Sequence, residues 1–311
     1  MLQVIERREL ITLGRSDTPV HGTYHTPHNY GGGSNGRGEK SIGIIFLNSL
    51  SLPRTATGDS AVYWADSMAA CGYPTFRIDL PGLGDSDGQL PRELLDFINS
   101  GGFARAAAQN IEEIAERFNL SGAVIVGHCA GAASALYAGA ASSICKGLIL
   151  MDAYFHLPQA VRPKTRRMLS DWALKSRYGR FASNVYDKLR AMRLRVRGEK
   201  LPENANVPLI RCWKELASGG MPILILKAPA RKAKGAKPRA GEFDYLEYAL
   251  KIAGSRHEVS VQYTEGTDHS FANRHGRNME RQYTEDWLTS HFPFDQKQAS
   301  KPLEALSHQV N

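Results

Sequence analysis

The sequence predicts an α/β fold: a mostly parallel central sheet flanked on both faces by helices, with a helical insertion. Three observations predict it. From Ser41 onward, short apolar runs alternate with helix-like segments, the order that builds parallel strands joined by helical crossovers. One of those runs, AVIV, passes directly into GHCAG and an alanine-dense helix. The rhythm then stops after Tyr154 and resumes only at MPILILKAP, leaving room for an insertion.

Taken in chain order, Leu2 to Arg8 alternates as a short strand, and Val20 to His25 as a second. The glycine-rich GGGSNGRGEK that follows reads as a flexible connection. It lacks the spacing of a phosphate-binding loop and precedes the strand Ser41 to Leu47, whereas phosphate cradling needs glycines that follow a strand and open a helix. Next come the helix GDSAVYWADSMAACG, the strand YPTFRIDL, the helix GGFARAAAQNIEEIAERFN, the strand SGAVIVGHC, the small-residue helix AGAASALYAGA and the strand KGLILMDAY. Amphipathic stretches from Thr165 to Lys175 and from Ala182 to Arg193 are read as helices of a cap. The strand MPILILKAP, the helix FDYLEYALKIA, the strand EVSVQYTEG and the helix NMERQYTEDWLTSHF complete the core. The expected organisation is a core over residues 1–151, a helical cap over 152–220, the rest of the core over 221–294 and a polar tail over 295–311.

Composition limits the function classes. Apolar residues make up 42% and charged residues 23% of the chain, which suits a compact soluble protein rather than a disordered one. The longest apolar runs, Ile44 to Leu47 and Met221 to Leu226, fall far short of the roughly 18 residues a membrane span needs. The N-terminus mixes acids and bases with no apolar secretory segment, so the expected compartment is the cytoplasm. Cys71, Cys129, Cys145 and Cys212 are widely spaced, which points to neither a disulfide framework nor a thiolate metal site. No metal and no cofactor are expected.

The net charge of +8 is local. Arg162 to Lys200 holds thirteen basic and three acidic residues, and Lys227 to Gly241 adds six basic and no acidic ones. Such segments either solubilise a surface or form an electropositive entrance for an anionic substrate. The aromatics between them, Trp172, Tyr178, Phe181 and Tyr186, form no recognisable nucleic-acid module, so no specific nucleic acid is expected.

The strongest chemical signal is Gly127-His128-Cys129-Ala130-Gly131. A strand that turns sharply into a helix at G-x-nucleophile-x-G exposes the central side chain at the carboxyl edge of the sheet. Gly127 and Gly131 are needed because strand and helix backbones pass too close for side chains. The helix N-terminus favours a thiolate at Cys129. His128 occupies the variable position and reads as a pocket-lining or structural residue. A general base belongs after the last strand, where GTDHSF places His269 on a loop that can reach over the same edge. An imidazole there can take the thiol proton and return it to a leaving group.

On FLNSL, RIDLPGLGDSDG, GHCAG and GTDHSF, the chain from Ser41 to Phe292, cap excepted, resembles the α/β-hydrolase superfamily, including its serine aminopeptidase-like lipase and thioesterase branches. It also resembles the hydrolases of exosortase systems, which likewise place cysteine in the elbow, as do dienelactone hydrolases and polyester synthases. The resemblance implies two backbone oxyanion donors: Ala130 N–H and one from Asn48-Ser49-Leu50, where Ser49 and Leu50 are the alternatives and Asn48 is a substrate-facing candidate. It also implies an acid shortly after the strand Met221 to Leu226, yet that position reads Lys227-Ala228-Pro229-Ala230-Arg231. The first acids beyond are Glu242 and Asp244, with Asp152 as the alternative and a Cys-His dyad as a further one.

These residues point to acyl transfer through a cysteine acyl-enzyme. The expected activity is hydrolysis of an ester or thioester. The alternatives are transfer of the acyl group to an amine, alcohol or thiol, and a non-catalytic binding or scaffolding protein on a hydrolase scaffold. The expected partner is a small-molecule acyl substrate, with a carboxylate or a coenzyme A or carrier-protein phosphate for Arg162, Arg166 and Arg193 to meet. Homodimerisation is left open.

Overall fold

The computed structural model describes residues 8–15, 17–27, 41–157, 201–228, 243–254 and 258–293. Eight strands form one sheet: β1 (Arg8–Leu13), β2 (Val20–His25), β3 (Ile42–Leu47), β4 (Thr75–Ile78), β5 (Gly122–His128), β6 (Cys145–Met151), β7 (Ile223–Lys227) and β8 (Val259–Tyr263). Their spatial order is β1-β2-β4-β3-β5-β6-β7-β8. β1 pairs antiparallel with β2, and β2 with β4, while every pair from β4 to β8 is parallel. Of the expected strand Leu2 to Arg8 only Arg8 lies among the described residues, where β1 runs Arg8–Leu13 opposite His25 to Val20.

Seven α-helices are described: α1 (Ser60–Ala70), α2 (Leu94–Asn99), α3 (Ala104–Arg117), α4 (Ala130–Ala141), α5 (Val207–Ser218), α6 (Tyr245–Ala253) and α7 (Arg274–His291). Continuous apolar runs such as Ile44 to Leu47 and Val124 to Val126 are buried on both faces, as a doubly covered parallel sheet requires. On one face α1 and α7 bury Trp64, Met68, Trp287 and Leu288 against Phe46, Val126 and Leu224. On the other, α3, α4, α5 and α6 bury Ile111, Leu136, Trp213 and Ala249 against Ile45, Ile125 and Leu148. Small residues in α4 let it lie close to the sheet.

α5 falls within the stretch 152–220 that the sequence assigns to the cap, yet it packs on the core. Trp213 Nε1 donates to Ala249 O of α6 at 2.8 Å, and Cys212 Sγ to Leu136 O of α4 at 3.3 Å. The other cap helices, Thr165 to Lys175 and Ala182 to Arg193, lie outside the described residues, as do the glycine-rich connection and the tail. Among the described residues no helix is long and apolar enough to cross a membrane.

Candidate active site

The parallel strands all deliver their carboxyl ends to one edge, the usual location of sites in such sheets. β5 ends at His128, and Cys129 follows with φ 54° and ψ −116° before α4 begins at Ala130. A non-glycine residue takes this conformation only where its surroundings hold it. Cys129 N–H donates to Met151 O at 2.8 Å. A Cβ on Gly127 would stand 2.1 Å from Gly131 O, and one on Gly131 would stand 2.8 Å from Asn48 O. The two glycines therefore let strand and helix meet, and let α4 approach the loop after β3. Cys129 is partly exposed at this edge.

His269 comes from the loop after β8. That loop is tied to its surroundings: Thr264 N–H donates to Lys227 O at 3.0 Å, Thr267 Oγ1 to Thr264 O at 2.9 Å, and Phe271 is buried. Nδ1–H of His269 donates to Asp152 Oδ2, and the imidazole lies within electrostatic reach of the Cys129 sulfur. The bond to Asp152 and then the Cys129 sulfur favour the imidazolium and raise its pKa to about 10. Asp152 itself sits one residue past β6 at φ 48°. Burial works against its charge, but the hydrogen bonds from His269 and Lys227 outweigh burial and hold the carboxyl below the ordinary carboxylate range.

Asp152, not Asp244, is thus the carboxylate that meets His269. Asp244 caps α6 instead, with Oδ1 accepting from Leu246 N and Glu247 N at 2.9 Å each. Glu242 lies outside the described residues, as do Arg162, Arg166 and Arg193. The position after β7 that the resemblance reserved for an acid is Lys227, whose Nζ donates to the other oxygen of Asp152. The sequence marks this lysine as the start of a basic run and as the place of a missing carboxylate, but not as a partner of Asp152.

His128 is buried. Its Nε2–H donates to His269 O at 2.6 Å, and its ring lies 5.0 Å from that of His269 and 5.8 Å from Phe271. Burial brings its pKa down to about 4, so it is a neutral strut that fixes the backbone of the His269 loop. Asn48 is buried in the loop after β3. Its side chain accepts from Leu80 N at 3.2 Å and donates to Leu52 O at 3.1 Å, because the loop after β3 needs its own polar groups satisfied. Ser49 is buried and Leu50 adopts φ 49° in the same turn. Ala130 is the first residue of α4, so its N–H is among those with no intrahelical partner. Tyr154, two residues beyond Asp152, has a buried hydroxyl without a hydrogen-bond partner among the described residues. Its pKa is pushed up to about 12 by burial and by the nearby Cys129 sulfur.

The sequence pattern of the alpha/beta hydrolase family matches residues 44–296. No curated protein matches the chain significantly. Among solved structures, the chain is similar to the esterase Pf2001 of Pyrococcus furiosus, with TM-score 0.60 and 8% identity over 92% of this chain and 93% of that one. It is also similar to DcsB, solved with its substrate analogue, at TM-score 0.58 and 13% identity over 92% and 100% of the two chains. Est1E from Butyrivibrio proteoclasticus, solved with ferulic acid, gives TM-score 0.54 and 14% identity over 90% and 98%. At such identities the structural likeness is one of fold, whereas the family pattern extends over most of the sequence. The chain belongs to the alpha/beta hydrolase family.

Proposed function

We propose that the protein is an acyl-transfer hydrolase acting on an ester or thioester, with Cys129 as nucleophile, His269 as general base and acid, and Asp152 as the acid that orients it. Membership of a hydrolase family supports hydrolytic chemistry in general. The observation that carries the finer reading is one imidazole hydrogen-bonded to Asp152, at the sheet edge where Cys129 occupies the strained turn between β5 and α4 and acts electrostatically on the same ring. The carboxylate that Asp152 presents to His269 supports this reading over a non-catalytic scaffold.

In this reading the sulfur of Cys129 attacks the acyl carbonyl carbon, a C–S bond forms, and the thiol proton passes to Nε2 of His269. The carbonyl oxygen becomes an oxyanion facing Ala130 N–H and the backbone N–H of the Ser49-Leu50 turn, each such donor contributing about 3 kcal/mol. As the bond to the leaving group breaks, Nε2–H protonates the departing heteroatom. Water then gives a proton to Nε2 while its oxygen attacks the thioester, the C–S bond breaks, and the returning proton restores the thiol. An amine, alcohol or thiol in place of that water makes the same enzyme an acyltransferase. The ratio of products with and without added amine separates the two outcomes.

Treatment with an activated acyl ester should leave the acyl group on Cys129, as read by intact and peptide mass spectrometry. Full turnover in Cys129→Ala would remove the proposal.

A further inference from the structure

The residue that ends β7 stands beside the acid rather than replacing it. β6 and β7 pair in parallel with Met151 opposite Leu226, so the next residues, Asp152 and Lys227, emerge side by side at the same edge. Asp152 N–H donates to Leu226 O at 2.7 Å, which locks that register. Nζ of Lys227 donates to Oδ1 of Asp152 and lies 3.4 Å from Ala153 O. Both carboxylate oxygens are therefore engaged, one by Lys227 and one by His269. The side chains of Lys227 and Asp152 are 29% and 12% exposed, so solvent screens the pair less than a surface ion pair.

We propose that Lys227 is a positioning residue that tunes the base strength of His269 through Asp152. This rests on the cysteine acyl-enzyme reading and goes beyond it, because Lys227 touches no reacting atom. A thiol, a neutral imidazole and a carboxylate together carry one negative charge, which holds a proton on the imidazole and makes it a reluctant acid. With the ammonium of Lys227 the four groups sum to zero, both as thiol with imidazole and as thiolate with imidazolium.

The groups facing His269 are few among the described residues. Asp152 bonds it, the Cys129 sulfur acts on it electrostatically, and neutral His128 lies behind it. Tyr154 faces the Cys129 sulfur, and His156 faces Lys227. Loss of the Lys227 charge must therefore move proton release to higher pH, since one fewer cation opposes the imidazolium. A charge one carboxylate away should shift it by about one pH unit.

The test is the rate of Cys129 alkylation by iodoacetamide across pH, resolved from Cys71 by peptide mass spectrometry, together with an NMR titration of His269. Wild type, Lys227→Met, Lys227→Gln and Lys227→Arg are compared. Both uncharged variants should move the alkylation profile and the His269 titration up by about one pH unit, and Lys227→Arg should stay near wild type. Gln keeps a donor to Asp152 without the charge and serves equally if the Met variant does not fold. Unmoved titrations with a lowered melting temperature would reduce Lys227 to a structural prop, and a shift in Lys227→Arg as large as in Lys227→Met would also overturn the proposal. If His269→Ala leaves wild-type alkylation of Cys129 unchanged, the acyl-enzyme reading itself fails, while the His269 titration still decides what Lys227 does to the imidazole.

Discussion

At the residue scale, the left-handed backbone of Cys129 costs roughly 1–3 kcal/mol and is sustained by the bond from its N–H to Met151 O and by the glycines on either side. Gly127→Ala should therefore destabilise the protein by about 3 kcal/mol and slow alkylation of Cys129, measured by thermal unfolding and mass spectrometry. The new methyl meets backbone at 2.1 Å, and backbone cannot rotate away. Asp152→Asn should return the His269 pKa from about 10 toward its ordinary value and slow Cys129 acylation by about 10². Asp244→Asn is the contrast: it should leave acylation intact, because that side chain only caps α6. Cys129 and His269 are legible in the sequence because each sits in a local pattern of strand, turn and glycine. Asp152 remained one of three acids, because the contact that selects it spans 117 residues.

At the scale of the elements, strands announce themselves by apolar runs, and five of the described α-helices (α1, α3, α4, α6 and α7) lie where the sequence places them. α2, only six residues long, gives too little periodicity to read. α5 carries a proline in its first turn and a clear apolar stripe, but nothing in its own sequence says whether that stripe meets a cap or the core. α7 holds the buried Glu280, whose pKa is pushed up to about 8 by burial, with Arg277 opposing the shift only in part. A carboxyl whose folded pKa is raised favours the folded state while protonated. Its contribution is complete below about pH 4.5 and is lost as pH rises toward 8. Glu280→Gln should flatten the fall in stability across that window and raise stability at pH 8 by a few kcal/mol. Chemical denaturation of both proteins at pH 5 and pH 8 checks this, and parallel curves would contradict it.

At the scale of the whole molecule, the excess charge is concentrated between Arg162 and Lys200, outside the described residues. If that segment borders the route to Cys129, removing charge at Arg162, Arg166 and Arg193 should raise KM for an anionic acyl substrate several-fold at low salt, and less at physiological salt. A neutral substrate should be unaffected, and kcat should hold for both. Equal losses for the two substrates would make these arginines a solvated face. The sequence by itself determined the fold class, the sharp turn that presents Cys129 and the loop that carries His269, because apolar periodicity and the steric demands of glycine turns are properties of neighbouring residues. Only the tertiary structure decided which carboxylate meets the imidazole and what stands behind it. Asp152 and Lys227 are 75 residues apart, and they become neighbours solely because β6 and β7 pair in one register, a choice made by the packing of the whole sheet and written in neither strand alone.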